Sequence, residues 1–115
     1  MPPDMALLEL DTHQEEGAVR LALSGELDIS NAPRVEEEIS RVEADAPALV
    51  VLDLRGLAFM DSTGLRLIVS ADARAREQGR RLAVVKGPEA VQRIFRLTRL
   101  DERLDMVDDP TAATA

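Results

Sequence analysis

The sequence predicts a small α/β domain with a mixed sheet. Apolar segments of strand length alternate along the chain with segments whose apolar residues recur at helical spacing, which is typical of parallel strands joined by helical crossovers. Only a short polar stretch separates the first two strand-like segments, so that pair is expected to be antiparallel. With 115 residues, we expect one domain over 1–115, with its core over about 6–107 and a loose tail over 109–115.

The first two strands are predicted to form a hairpin. Residues 6–10 are apolar enough for a strand, and Val19, Leu21 and Leu23 alternate with polar or small neighbours, which is the period of a second strand. The polar stretch over 11–17 is predicted to be the connection. His13 lies in that stretch and is expected to be a solvated turn residue rather than a ligand or a base.

A helix is predicted after the hairpin, because capping residues precede an apolar stripe. Asn31 is a favourable N-cap, and Pro33 fits the first turn, where its missing N–H costs nothing. Pro47 is expected to end the helix. The expected buried stripe consists of Val35, Ile39, Val42 and Ala46.

The remaining chain continues the alternation. Residues 48–57 form a continuous apolar run, typical of a strand covered on both faces. A helix follows, with Gly79 as its C-terminal stop, then a short strand near 80–88 and a helix near 88–98. The prediction is therefore a small mixed sheet of four strands, or five if the C-terminal residues add one, with three to four packed helices. The face of the second helix is expected to comprise Leu65, Ile68, Ala71 and Ala75.

Composition excludes several classes of function. A net charge of −8 without a basic tail disfavours binding to nucleic acid or to anionic membranes. The chain has no cysteine, which removes disulfides, thiolate catalysis and cysteine-ligated metals. Its beginning lacks the pattern of a secretion signal, and no apolar run approaches the roughly 18 residues that span a bilayer. We expect a cytoplasmic protein.

Polar residues gather where strands are predicted to end. Asp28 follows the second strand, Asp53 lies in the third, and Asp61 opens the stretch "DSTGL". Because functional residues of such sheets collect where strands end and helices begin, these acids are expected to approach one another, together with Ser62 and Thr63. By residue type alone, Ser62 is most simply an N-cap, with Gly64 easing a tight turn, and Asp53 is a strand acid bonded by nearby backbone N–H groups.

These residues do not form a recognisable catalytic set. Three carboxylates are suitable magnesium ligands in principle, but no glycine-rich phosphate loop accompanies them. Ser62 lacks an activating base and a nucleophile elbow. A phosphoaspartate receiver, suggested by the resemblance of residues 50–56 to its acceptor strand, is disfavoured because the first connection is a short turn. The sequence therefore predicts no enzyme, no cofactor and no metal.

The chain resembles the STAS-domain anti-sigma factor antagonists from about Leu7 to Val107. The segments that carry this resemblance are "LSGELD" at 23–28, "LVVLDLRGLAFMDSTGL" at 49–65, "ARAREQGRRLAVV" at 73–85 and "VQRIFRLTRL" at 91–100. The resemblance implies a STAS fold and a partner switch in which the unphosphorylated protein binds an anti-sigma factor and frees a sigma factor. That partner is a serine kinase of the histidine-kinase-like ATPase fold, and a PPM-type serine phosphatase reverses its action.

The same resemblance identifies Ser62 as the phosphorylated residue, because it follows the motif aspartate. Phosphorylation of Ser62 is expected to add negative charge beside Asp61, and this charge would oppose docking of the partner. The implied partner-binding residues are Asp28, Asn31, Asp61, Ser62, Thr63, Gly64 and Arg66.

Two residues depart from the family pattern, and a second role remains open. Arg66 stands where the family often has a small residue, and Arg99 stands at a turn where it often has glycine. If that turn needs a positive φ, Arg99 costs about 1 kcal/mol. The alternative role is a STAS interaction module that does not switch, such as a scaffold of a stress-sensing complex or a subunit of a lipid-transport machine.

Overall fold

A computed structural model describes residues 7–15 and 17–114. None of the helices in this described part is long and apolar enough to cross a membrane. In chain order the elements are β1 (Leu8–Glu15), β2 (Ala18–Leu27), α1 (Ala32–Glu43), β3 (Leu49–Met60), α2 (Ser62–Glu77), β4 (Arg81–Val85), α3 (Glu89–Leu97), a 3₁₀ turn (Leu100–Glu102), β5 (Asp105–Val107) and α4 (Pro110–Thr114).

The five strands form one mixed sheet in the order β1-β2-β3-β4-β5. β1 pairs antiparallel with β2, and the other neighbours pair in parallel. Both features were predicted, and the short β5 supplies the optional fifth strand. Because each right-handed crossover moves one strand along in the same direction, α1, α2 and α3 cover the same face of the sheet. The N-termini of these helices therefore lie at the edge where the parallel strands end.

The core lies between that face and the three helices. It contains most residues of the predicted helical stripes, among them Val35, Ile39, Ile68 and Ala71, packed against alternate residues of the strands. The opposite face, which we call the outer face, carries a small second cluster of Val51, Ala83, Val85 and Ala113. β3 is therefore covered on both sides, as predicted, and in the described part of the chain its outer side packs against the short α4.

The polar residues predicted as a connection form most of β1. β1 extends through Glu15, and His13 is an exposed strand residue paired with Arg20 rather than a turn residue. These polar residues form a strand because β2 offers a backbone hydrogen-bonding partner to each residue of β1, whatever its side chain. Gly17, which directly precedes β2, has a φ of +70°. Of the predicted strand over 6–10, Ala6 lies outside the described residues.

The first helix is shorter than predicted. α1 ends at Glu43, and Ala46, expected in its buried stripe, is exposed with a φ of +48°. The residue before a proline is disfavoured in the helical region, and Ala46 precedes Pro47. The stripe consists instead of Ala32, Val35, Ile39 and Val42.

The prediction of a loose tail is wrong for most of 109–115. Residues Pro110–Thr114 form α4, whose Ala113 is 1% exposed. The Asp109 carboxylate accepts a hydrogen bond from the Ala112 amide at 3.0 Å, and Arg81 donates to the Ala113 carbonyl at 2.6 Å. The core therefore extends past 107, while Ala115 lies outside the described residues.

Candidate functional site

Ser62 is the first residue of α2, directly after the end of β3. The preceding Asp61 has extended backbone (φ −99°, ψ −173°), and its carboxylate accepts hydrogen bonds from the amides of Thr63 at 2.9 Å and Gly64 at 3.2 Å. Asp61 is therefore the N-cap, and the assignment of that role to Ser62 from its residue type is wrong. The side chain of Ser62 is exposed and does not hold the helix in place.

Gly64 allows close packing of α2 and does not ease a tight turn, contrary to the prediction. It lies within α2 and is not among the residues with positive φ, so it does not ease a turn. A Cβ at this position would lie 2.7 Å from Met60 Cγ and 2.9 Å from Leu27 Cγ. Glycine is required because the first turn of α2 packs directly on the ends of β2 and β3. Thr63 is half-buried beside it, and Arg66 is exposed one turn further along α2.

The loop after β2 is held by hydrogen bonds around Asp28. Its carboxylate accepts from the Ser30 hydroxyl at 2.5 Å and from the Ser30 amide at 2.9 Å. These two bonds hold the pKa of Asp28 below its usual value. Asp28 is thus a charged acceptor on the surface of the loop at neutral pH.

Asn31 buttresses this loop instead of capping α1. It occupies the N-cap position but forms no side-chain cap hydrogen bond. Its Oδ1 accepts from the Asp28 amide at 3.0 Å, and its Nδ2 donates to the Glu26 carbonyl at 2.8 Å. Only 5% of Asn31 is exposed, so it shapes the loop from beneath and does not reach a partner directly.

The Asp28 loop and the start of α2 form one surface. Leu27 and Met60 are paired in register, and the Asp61 amide donates to the Leu27 carbonyl at 3.2 Å. Asp28 and Asp61 each follow one member of this pair. Asp28 and the stretch from Asp61 to Thr63 therefore follow the ends of two adjacent strands at one edge of the sheet.

Asp53 does not belong to this surface, contrary to the prediction. It shares the outer face with Val51, because alternate residues of a strand point the same way. Its carboxylate accepts from the Arg55 amide at 3.1 Å and pairs with the guanidinium groups of Arg55 and Arg20 at 2.8 and 3.4 Å. Burial raises the pKa of Asp53, but the hydrogen bonds from Arg55 outweigh burial and leave the pKa below its usual value.

The chemistry available at this surface is that of an acceptor. The exposed Ser62 hydroxyl lies at a helix N-terminus, where backbone N–H groups and the helix dipole favour an added anion. His13 is far along β1 and supplies no base. Within 7–15 and 17–114, no three Asp, Glu or His side chains are grouped so as to hold a metal ion.

Two exposed apolar residues at this edge of the sheet were not predicted. Ile29, in the Asp28 loop, is 74% exposed, and Phe59, two residues before Asp61, is 47% exposed. Neither belongs to a repeating pattern, so periodicity gives no signal for them. The only hint in the sequence is a large apolar residue enclosed by polar loop residues in "LDIS".

Known proteins match this chain over most of its length. The STAS domain family model matches residues 9–114. The chain is 28% identical over 99 residues to the anti-sigma-B factor antagonist of Bacillus subtilis (strain 168), a match that covers 86% of this chain and 90% of that protein. It is 25% identical over 95 residues to the protein of the same name from Staphylococcus aureus (strain NCTC 8325 / PS 47), covering 83% and 88%.

A solved structure shows the same architecture. The crystal structure of an anti-sigma factor antagonist from Mycobacterium paratuberculosis aligns with a TM-score of 0.83 and 27% identity, covering 98% of this chain and 94% of that one. This chain has the five-stranded mixed sheet described above, and the family model matches it over residues 9–114. The chain belongs to the STAS domain family.

Proposed function

We propose that this protein is an anti-sigma factor antagonist that phosphorylation of Ser62 switches off. In the unphosphorylated state it binds an anti-sigma factor with serine kinase activity and a histidine-kinase-like ATPase fold, which releases a sigma factor in the cytoplasm. The kinase then modifies Ser62, and a PPM-type phosphatase restores the active form. The names of relatives from Bacillus subtilis, Staphylococcus aureus and Mycobacterium paratuberculosis support the antagonist role.

The separation of cap and acceptor is the observation that carries this proposal. Because Asp61 supplies the N-cap of α2, a phosphate on the exposed Ser62 replaces no structural hydrogen bond. The phosphate adds about −1.5 to −2 charges at neutral pH, beside the carboxylates of Asp61 and Asp28. The fold is retained while docking of a partner is opposed by repulsion and desolvation. A change of about 3 kcal/mol would weaken binding more than a hundredfold.

The other residues of the surface have supporting roles in this proposal. Asp28, Asp61 and Thr63 contact the partner, Gly64 allows α2 to sit close to the strand ends, and Asn31 fixes the loop. Arg66 lies on the exposed side of α2 one turn after Ser62 and contributes to the choice of partner. The protein itself performs no catalysis and needs no cofactor or metal.

The proposal is tested with Ser62→Ala and Ser62→Asp. Both variants should fold, since Ser62 is not the cap and an anion suits a helix N-terminus. Ser62→Ala should bind the cognate anti-sigma factor like wild type and accept no phosphate, whereas Ser62→Asp should bind weakly. Calorimetry and phosphopeptide mapping measure the two effects on the same samples. Ser70→Ala, an exposed serine two turns along α2, is the matched control.

Two results would contradict the switch. One is phosphate on Thr63 instead of Ser62, and the other is Ser62→Asp binding as tightly as wild type. Binding without any phosphorylation by the partner would instead favour the STAS interaction module that does not switch.

A further inference from the structure

Three large apolar side chains are strongly exposed in the described part of the chain, and two of them lie at the end of the sheet where α2 and Ser62 begin. Ile29 is 74% exposed, Phe59 47% and Leu97 73%. Ile29 lies in the Asp28 loop and Phe59 near the end of β3, whereas Leu97 ends α3 at the opposite edge of the sheet. Singly exposed apolar residues are common on protein surfaces, but Ile29 and Phe59 lie close to the ends of two adjacent strands, where β2 leads into the Asp28 loop and β3 leads into α2.

Ile29 is presented by a loop that is already ordered. The residues on either side of it are tied by the bonds from Ser30 to the Asp28 carboxylate and by the bonds between Asn31 and the backbone of Asp28 and Glu26. The Ala32 amide also donates to the Asp28 carbonyl at 2.9 Å. A side chain on such a loop loses little further backbone freedom on binding, which favours affinity.

Phe59 is held in the same way by the sheet. It pairs in register with Glu26 on β2, one residue before the pair of Leu27 and Met60. The chain has two phenylalanines and no other aromatic residue, and Phe95 is fully buried. The one exposed aromatic residue thus lies three positions before Ser62. Aromatic side chains are enriched at the cores of protein interfaces, whereas exposed leucines are not favoured there.

Acidic residues are neighbours of these two side chains in the sequence and in the register of the sheet. Glu26 is exposed, Asp28 is half-buried, and Asp61 is half-buried at the start of α2. A partner surface that matches this arrangement carries an apolar pocket bordered by arginine or lysine side chains. Water and a neutral polar protein surface both suit this arrangement less well. Neither would bury Ile29 and Phe59 and also neutralise the charge of the carboxylates.

We propose that Ile29 and Phe59 are the apolar anchors of the docking surface, and that they insert into an apolar pocket bordered by basic side chains on a protein partner. This inference rests on the proposed function, since the partner it describes is the anti-sigma factor. It adds that most of the affinity comes from two side chains that phosphorylation does not alter. Phosphorylated Ser62 then acts by repelling the rim of the site while the anchors stay in place.

A photocrosslinking experiment identifies what these positions touch. Benzoylphenylalanine is placed at position 29, 59 or 97 of the full chain, which is expressed in the source organism in place of the native protein. Positions 29 and 59 should capture the same protein through a peptide with apolar and basic residues, and position 97 should not. Capture through position 97 alone, or through none of the three, overturns the inference.

Calorimetry with the captured protein then measures the contribution of each side chain. Phe59→Ala should weaken binding at least ~30-fold, and Ile29→Ser about tenfold, while the equally exposed control Leu97→Ser should stay within about twofold of wild type. Raising NaCl from about 0.1 to about 0.5 M should weaken wild-type binding, because exposed charges are screened. Thermal unfolding checks the fold, and Ile29→Ser alone tests the inference if Phe59→Ala is unstable.

The outcomes separate this inference from the function on which it rests. If wild type binds an anti-sigma factor kinase and both anchor variants bind as tightly, the anchors are wrong and the function stands. If positions 29 and 59 capture a protein that is neither a kinase nor an anti-sigma factor, and the variants lose affinity for it, the proposed function is wrong and the anchors stand.

Discussion

At the start of α2, Asp61, Ser62 and Gly64 have three different roles. Asp61 binds the free amides of the first turn, Ser62 exposes its hydroxyl, and Gly64 lets the helix rest on Met60 and Leu27. Such a division keeps the helix intact whether or not the hydroxyl is modified. The short side chains in "DSTG" are therefore as much a packing requirement as a chemical one.

Gly64→Ala should destabilise the protein, although alanine is the better helix former. The new Cβ would lie within 3 Å of Met60 and Leu27, and overpacking a buried contact costs roughly 1–3 kcal/mol. The gain in helix propensity is at most about 1 kcal/mol, so we expect the free energy of unfolding to fall by roughly 1 kcal/mol, and by about 2 kcal/mol if the contact cannot relax. Urea denaturation measures it, and Ser70→Ala on the exposed side of α2 is the control. Equal stability of Gly64→Ala and wild type would show that the contact can relax.

Arg99 adopts a strained backbone conformation that glycine would relieve. Its φ of 59° and ψ of 17° lie in the left-handed region, which costs a non-glycine residue about 1 kcal/mol or more. Arg99→Gly should raise the free energy of unfolding by roughly 0.5 kcal/mol, after the greater freedom of glycine in the unfolded chain is subtracted. Arg103→Gly is the control, because its φ of −99° needs no glycine. A loss of stability in Arg99→Gly would contradict the prediction of strain.

At the scale of elements, α4 shows how a segment without periodicity acquires structure. Five residues are too few for a stable isolated helix, and "PTAAT" has no apolar stripe that predicts one. The helix exists because Ala113 fits against Val51, Ala83 and Val85 on the outer face. Only the assembled sheet creates that contact, so the sequence could not predict it.

Ala113→Glu should therefore destabilise the protein far more than Ala112→Glu. Glutamate at position 113 would place a carboxylate among the outer-face side chains, where burial of an unpaired polar group costs roughly 1–3 kcal/mol. Ala112 is exposed on the same short helix, so its substitution controls for charge and helix propensity. Thermal unfolding of the two variants measures the difference. Identical melting curves would indicate that α4 contributes nothing to the fold.

At the scale of the whole molecule, local periodicity predicted the order of the strands and helices. It did not predict which side chains lie together near Ser62 at the ends of the strands. Strands and helices were predicted in the right order because their apolar residues repeat at fixed spacing. Asp53 was wrongly predicted to join the Ser62 surface. Its side chain lies on the outer face, and β3 continues to Met60, well past its last pairing with β4 at Asp53 and Val85. The length of a strand beyond its neighbour is set by pairing with β2, which a single sequence does not reveal.

Acid stability is the property of the whole fold that the carboxylates control. Arg41, and then Thr12, lower the pKa of Glu38 to about 2, and Arg55 keeps the pKa of Asp53 below its usual value against the effect of burial. A carboxyl whose pKa is lower in the folded chain stabilises the fold above its unfolded pKa, near 4. That stabilisation is lost as the pH falls through the folded pKa.

The free energy of unfolding should therefore decrease as the pH falls from about 5 to about 2. Asp53→Asn and Glu38→Gln should each lower stability at neutral pH and flatten this decrease, since each removes one group that must take up a proton. Urea denaturation at several pH values measures the slope, and Glu37→Gln, at an exposed neighbouring position, is the control. If both variants kept the wild-type slope, the ion pairs of Asp53 on the outer face and of Glu38 on α1 would not be linked to folding.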